Sequence, residues 1–246
     1  MALKASPQDQ ALLLDLQALD TKLAQLAHRA KSIPELAELS ALNSQAVARR
    51  QILAERRGLS ENVQLELSRI ESDVKIVEAR IARDSERLQA SSSVKDVAAL
   101  EQELTALRKR LNDLEEIELT VMERLEESQG AIAETVAELD TIAGRISEVE
   151  AARDAQLVVV NAERETAEAG RRSIEVKVPA DLLALYEKQR SRYGTGASLL
   201  RGGVSLASGV KLLENEMQAI RAAAPDDVIM CASSEAILVR TDESGL

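Results

Sequence analysis

The sequence predicts a mainly α protein: a long antiparallel coiled-coil hairpin, kinked near Pro34, followed by a small C-terminal α+β domain. Three observations lead there. The 45% apolar content is almost entirely Leu, Ala, Val and Ile, with no Phe or Trp, only Tyr186 and Tyr193 as aromatics, and 30% charged residues. That mixture favours long helices packed along narrow seams over a mixed globular core. Apolar residues recur with the 3.5-residue average that keeps one stripe against a partner helix. The repeat then stops near residue 173, where glycines and short strand-like runs take over.

The first arm carries Leu12, Leu16, Leu19, Leu23, Leu26, Ala30 and Ile33 in alternating steps of four and three. Pro34 lacks an N–H and crowds the preceding turn, so a kink or short break is expected there. Helical sequence resumes with "ELAELSALNSQAVARRQILAERR", and past Gly58 the seam is Val63, Leu67, Ile70, Val74, Val77, Ile81 and Leu88, with Asp84 in one slot. The serines of "QASSSVKDV" stop one helix and cap the next, which places the hairpin tip near 91–96.

The return arm runs through Val97, Leu100, Leu104, Leu107, Leu111, Leu114, Val121, Leu125, Ile132, Leu139, Ile142, Ile146 and Val149, and only Glu118, Ser128 and Thr135 put polar groups in that seam. Residues 9–90 going out and 97–172 coming back supply 82 and 76 positions, so the arms match. At 1.5 Å per residue each is about 115–120 Å long. A short polar turn between matched arms favours a hairpin within the chain over a parallel dimer through each helix. The domains are therefore 1–173, the hairpin, and 174–246.

The second domain opens with a helix started by Pro179, with Asp181 in its first turn and Leu182, Leu183, Leu185 and Tyr186 on its apolar face. "GTGASLLRGG" reads as Gly-rich loop, Val204–Leu212 as strand or turn, Asn215–Ala223 as a short helix, and Val228–Cys231 with Ile237–Arg240 as a hairpin.

Several function classes are disfavoured. The net charge is −11, which opposes broad binding of nucleic acid or anionic membrane. That acidity belongs to residues 1–170, with 21 basic and 32 acidic side chains, whereas 171–246 hold 10 of each. No apolar run approaches a membrane span, and "MALKASPQDQ" lacks the build of a signal peptide, so the cytoplasm is the expected location. His28 is the only histidine and Cys231 the only cysteine, far apart in sequence. No acid, base and nucleophile set can be assembled from them, and an enzyme is not expected. "GTGASLL" lacks the lysine and the strand context of a phosphate-binding loop.

One spacing and one charge cluster stand out. Ser205-x-x-Ser208 and Cys231-x-x-Ser234 have the spacing of two zinc knuckles. Serine is a common turn residue and a poor zinc ligand, so spacing alone favours two small-residue turns. Lys188, Arg190, Arg192, Arg201 and Lys211 lie in a segment without an acidic residue. They are candidates for binding phosphates or an acidic protein surface, against a plain reading as a solvated face.

The stretches "LLLDLQALDTKLAQLAHRAKSIPELAEL", "LTVMERLEES", "PADLLALYEKQR", "GVSLASGVKL" and "DDVIMCASSEAILVRT" resemble, in this order and over nearly the whole chain, a bacterial family that joins a coiled-coil hairpin to a C-terminal four-cysteine zinc ribbon. The resemblance implies that Ser205, Ser208, Cys231 and Ser234 stand at the four ligand positions, of which only Cys231 keeps its thiol. A zinc-free, degenerate ribbon without cofactor is then expected, held by Leu206, Leu212, Leu213, Met217, Ile220, Val228, Ile229, Ile237 and Val239 packed on Leu182, Leu185 and Tyr186. The family's links to flagellar or secretion-system assembly, sigma-factor contact and RNA binding imply an adaptor or regulator with protein partners. RNA or DNA binding through the basic cluster is the alternative, and the outer helix faces leave homodimerisation open.

Overall fold

Ser6 and Pro7 start the first helix. The Ser6 hydroxyl accepts the Asp9 N–H at 3.1 Å, and Pro7 occupies a position whose missing N–H costs nothing. The computed structural model describes residues 3–246, in which α1 spans Pro7–Lys31, α2 Pro34–Ala90 and α3 Val94–Glu175. The chain breaks rather than bends at Pro34: Ser32 and Ile33 leave the helix, and Pro34 is the first residue of α2. At the tip Ser91–Ser93 separate α2 from α3, and the Ser93 hydroxyl makes a long 3.5 Å contact with the Asp96 N–H.

The contacts divide the chain into two units, one running to Pro34 and resuming over Ala152–Leu246, the other Glu35–Ala151. Within the first unit α1 and the end of α3 pack with the C-terminal elements.

In the Glu35–Ala151 unit, α2 and α3 run antiparallel. Ion pairs Glu38–Arg145, Arg49–Glu138, Glu66–Arg124 and Arg80–Glu103 climb one helix as they descend the other. They are exposed and contribute little stability; their order reports the register. The heptad positions read from the sequence are the ones turned inward, with Leu67, Leu100, Leu104, Leu114, Val121 and Val149 buried and the others half-buried. Two polar seam residues meet arginines. Thr135 accepts a 2.7 Å hydrogen bond from Arg56, whose guanidinium also reaches the Ala131 carbonyl, and buried Asp84 lies between Arg80 at 3.7 Å and Arg87 at 3.3 Å.

In the other unit, α4 (Ala180–Tyr193) and α5 (Glu214–Ala222) accompany a sheet of β1 (Ala197–Arg201), β2 (Val204–Ser205), β3 (Val210–Lys211), β4 (Ile229–Met230) and β5 (Ile237–Val239). Its strand order is β3-β2-β1-β5-β4, with β1 parallel to β5 and the other neighbours antiparallel. Beyond β4 the N-terminal segment continues the pairing, Ala5 donating to the Asp226 carbonyl and Val228 to that of Leu3.

Two expectations are corrected here. "ASLLR" is a central strand, not loop; its partner β5 lies far away in sequence, and five residues between glycines carry no periodicity of their own. Leu206 and Leu213 are 54% and 65% exposed, outside the core, while Leu200, Leu238 and Cys231 are inside it. A second cluster joins Leu13 and Leu16 of α1 to Leu182 and Tyr186 of α4 and to Ala197, Ile237 and Val239 of the sheet. No helix among the described residues is long and apolar enough to cross a membrane.

Candidate functional site

The two spaced turns are built alike. In the β2–β3 turn the Ser205 carbonyl accepts the Gly209 N–H at 2.8 Å, and Gly209 has a left-handed φ of 64°. In the β4–β5 turn the Cys231 carbonyl accepts the Glu235 N–H at 2.8 Å, and Glu235 has a φ of 55°. Among the described residues no other non-glycine has positive φ. A left-handed residue in fifth position lets each turn close.

Ser208 of the first turn and Cys231 of the second are linked through Ser233. The buried Ser205 hydroxyl lies 3.1 Å from that of Ser198, which in turn accepts the Ala207 N–H. Ser233, a residue not singled out by spacing, is 3.2 Å from the Cys231 sulfur and donates to the Ser208 hydroxyl at 3.2 Å. Burial pushes the Cys231 thiol up, but the surrounding Ser205, Ser233 and Ser234 polar groups outweigh it and bring the thiol down to about 7; of these hydroxyls only Ser233 lies in hydrogen-bonding geometry to the sulfur, and that of Ser234 is buried without a partner. A tetrahedral zinc site takes thiolate, imidazole or carboxylate ligands. Here one thiol stands among serine hydroxyls that stay protonated near neutral pH, and this donor set does not fit the ion.

The basic cluster is thinner than its sequence suggests. Arg190 donates to Glu187 at 2.7 Å and to Asp20 at 3.3 Å, and Arg201 pairs with Glu243 at 3.1 Å. The Arg192 guanidinium lies 5.3 Å from the centre of the Tyr193 ring. Lys188 and Lys211 make no ion pair among the described residues.

A polar centre that sequence reasoning missed holds this unit together. Asp20 of α1, 5% exposed at its side chain, accepts from the Tyr186 hydroxyl at 2.6 Å and from Arg171 of α3 at 2.8 Å. Arg171 also meets Glu175 and Glu187. Burial alone would lower the Arg171 pKa, but the Asp20 hydrogen bond and the charges of Asp20, Glu187 and Glu175 hold it above its ordinary range. Burial, then the Asp20 hydrogen bond and charge, push Tyr186 well above the usual phenol value. Gln17 completes the junction by accepting the Gly196 N–H at 2.7 Å. The only sequence signal was position: Asp20 follows Leu16 by four and precedes Leu23 by three, on the edge of the apolar stripe.

A family model described as the CT398-like coiled coil hairpin domain matches residues 16–194. The uncharacterized proteins Rv2229c and MT2288 of two Mycobacterium tuberculosis strains are each 31% identical over 241 residues, spanning 98% of this chain and 98% of theirs. A solved Mycobacterium smegmatis structure superposes with a TM-score of 0.88 at 34% identity, covering 97% of this chain and 100% of that one. CT398 of Chlamydia trachomatis follows with a TM-score of 0.68 at 18% identity, over 94% and 97% of the two chains. HP0958 of Helicobacter pylori gives a TM-score of 0.50 at 14% identity, over 95% and 98%. These last two share the fold.

Proposed function

The chain belongs to the CT398-like coiled coil hairpin domain family, and from that membership we propose that it is a non-enzymatic scaffold or adaptor of the cytoplasm, whose C-terminal domain docks a protein partner. The observation that carries the proposal is the outward placement of Leu206, Val210 and Leu213, at 54%, 52% and 65% exposure, around the β2–β3 turn and the start of α5. Ile237, Leu238 and Val239 of the same domain are almost completely buried, so these three apolar side chains are not needed to close its core. Apolar side chains gathered outside a closed core favour a protein interface.

The test is affinity capture from host extract with the full chain and with Leu206→Asp/Leu213→Asp. Interface anchors contribute on the order of 1–3 kcal/mol each, so the variant should retain less than about a tenth of a defined partner protein. Equal capture by both chains would refute the proposal. Nucleic-acid binding is the second reading, favoured by Arg192 stacked on half-exposed Tyr193 next to Lys188. It requires RNA or DNA affinity that falls steeply with salt and weakens in Lys188→Ala/Arg192→Ala/Lys211→Ala.

A further inference from the structure

We propose that a hydrogen-bonded clamp of serine hydroxyls and one thiol, bridged by Ser233, ties the β2–β3 and β4–β5 turns together in the way a tetrahedral ion joins two knuckles. The observations are geometric. Both turns close through a 2.8 Å bond from their fifth N–H to their first carbonyl, and both end in a left-handed residue. Ser205 with Ser208 and Cys231 with Ser234 therefore hold the same backbone positions in the two turns. A zinc ion would join two such turns through bonds of about 2.3 Å to sulfur, with neighbouring sulfurs roughly 3.8 Å apart. In this chain the link passes through a side chain instead: Ser233 lies 3.2 Å from the Cys231 sulfur on its own turn and 3.2 Å from the Ser208 hydroxyl on the other. Ser198 extends the chain of hydroxyls from Ser205 into β1.

The burial pattern agrees. Ser205 is fully buried and Cys231 is 1% exposed, so their polar atoms need partners, and Ser198 and Ser233 supply them; the Ser234 hydroxyl is buried without one, and the bridging Ser233 is itself exposed. Leaving the Ser205 hydroxyl unpartnered would cost more than the bond it makes adds. The clamp explains how two short strand pairs of two residues each, β2–β3 and β4–β5, hold their turns in register without a metal. It also assigns Ser233 a role that its place between the spaced positions conceals.

The full-length chain is tested in two ways. Ser233→Ala leaves Ser205, Ser208, Cys231 and Ser234 in place and cuts the bridge; losing an exposed hydroxyl bond and a half-buried contact to sulfur, together about 1 kcal/mol, should lower the melting temperature by about 2–4 °C. An unchanged melting temperature would overturn the clamp. The variant Ser205→Cys/Ser208→Cys/Ser234→Cys supplies the missing thiols, and it should bind about one zinc per chain and melt lower when a chelator is added. Wild type should show neither zinc by elemental analysis nor a chelator-dependent shift. Stoichiometric zinc in wild type, or a folded triple variant that takes up no zinc, would overturn the inference. If the triple variant does not fold, the Ser233→Ala melting temperature decides.

Discussion

Replacing Asp20 by Ala should open the unit built from α1, the end of α3, α4 and the sheet, and leave Glu35–Ala151 intact. Asp20 accepts from Tyr186 at 2.6 Å, Arg171 at 2.8 Å and Arg190 at 3.3 Å, and the side chains of Asp20 and Arg171 are 5% and 16% exposed. Removing one partner of a buried ion pair costs about 3–5 kcal/mol, because the other charge is left without compensation. Arg171 retains Glu175 and Glu187, which softens that loss. Tyr186 falls back on a 3.4 Å contact with Gln17, which adds to it. The balance is about 3 kcal/mol, near the lower end of that range. Amide hydrogen exchange followed by segment is the appropriate assay, since it reports each unit separately. Protection in α1, α4 and β1 should fall by roughly 100-fold, a factor of ten for each 1.4 kcal/mol, while mid-hairpin amides of α2 and α3 keep theirs. Asp15→Ala, at an exposed position of the same helix, serves as control and should change nothing. A fall of less than about fivefold in Asp20→Ala would show that the network is not what holds α1 and α4 on the sheet.

Alkaline titration tests the same junction from Tyr186. Its folded pKa is raised by burial first and then by Asp20, so the contribution is complete below the unfolded value near 10 and is lost as pH rises above it. Urea midpoints measured from pH 8 to 11 should fall, and fall less steeply in Tyr186→Phe. Gly196→Ala should destabilise the same unit by more than about 2 kcal/mol, because the added Cβ would sit 2.5 Å from the Tyr186 ring and 2.8 Å from its carbonyl oxygen; circular dichroism melting checks this. Asp84→Leu should instead stabilise the hairpin by about 1 kcal/mol. Its buried Oδ2 makes no hydrogen bond, and Arg80 and Arg87 are exposed enough to be solvated once the carboxylate is gone. Slower exchange near the end of α2 would confirm it.

Much of the hairpin was legible because its information is local and repeated. A seam residue such as Leu104 or Val121 is marked by neighbours three and four places away, and the helix carries that spacing directly into space. Asp84 and Thr135 could be placed in the seam for the same reason, and both are buried there. The equivalence of Ser205-x-x-Ser208 and Cys231-x-x-Ser234 was also visible, as a spacing.

Other features depended on partners distant in sequence. β1 is a strand because β5, some forty residues later, pairs with it in parallel, and nothing within "ASLLR" announces that partner. Leu206 and Leu213 are apolar like the core residues near them, yet they lie just outside the two-residue strands β2 and β3, where no strand commits a side chain to the core face. Asp20 looks like a solvated helix charge until Arg171, Arg190 and Tyr186 converge on it from other helices.

The sequence by itself therefore determined the helices, their seam and their return, since i to i+4 contacts are encoded where they occur. Only the tertiary structure decided which charges are buried, which leucines face outward and how the two turns are joined. Those outcomes depend on side chains whose meeting is created by folding, and no interval along the chain records it.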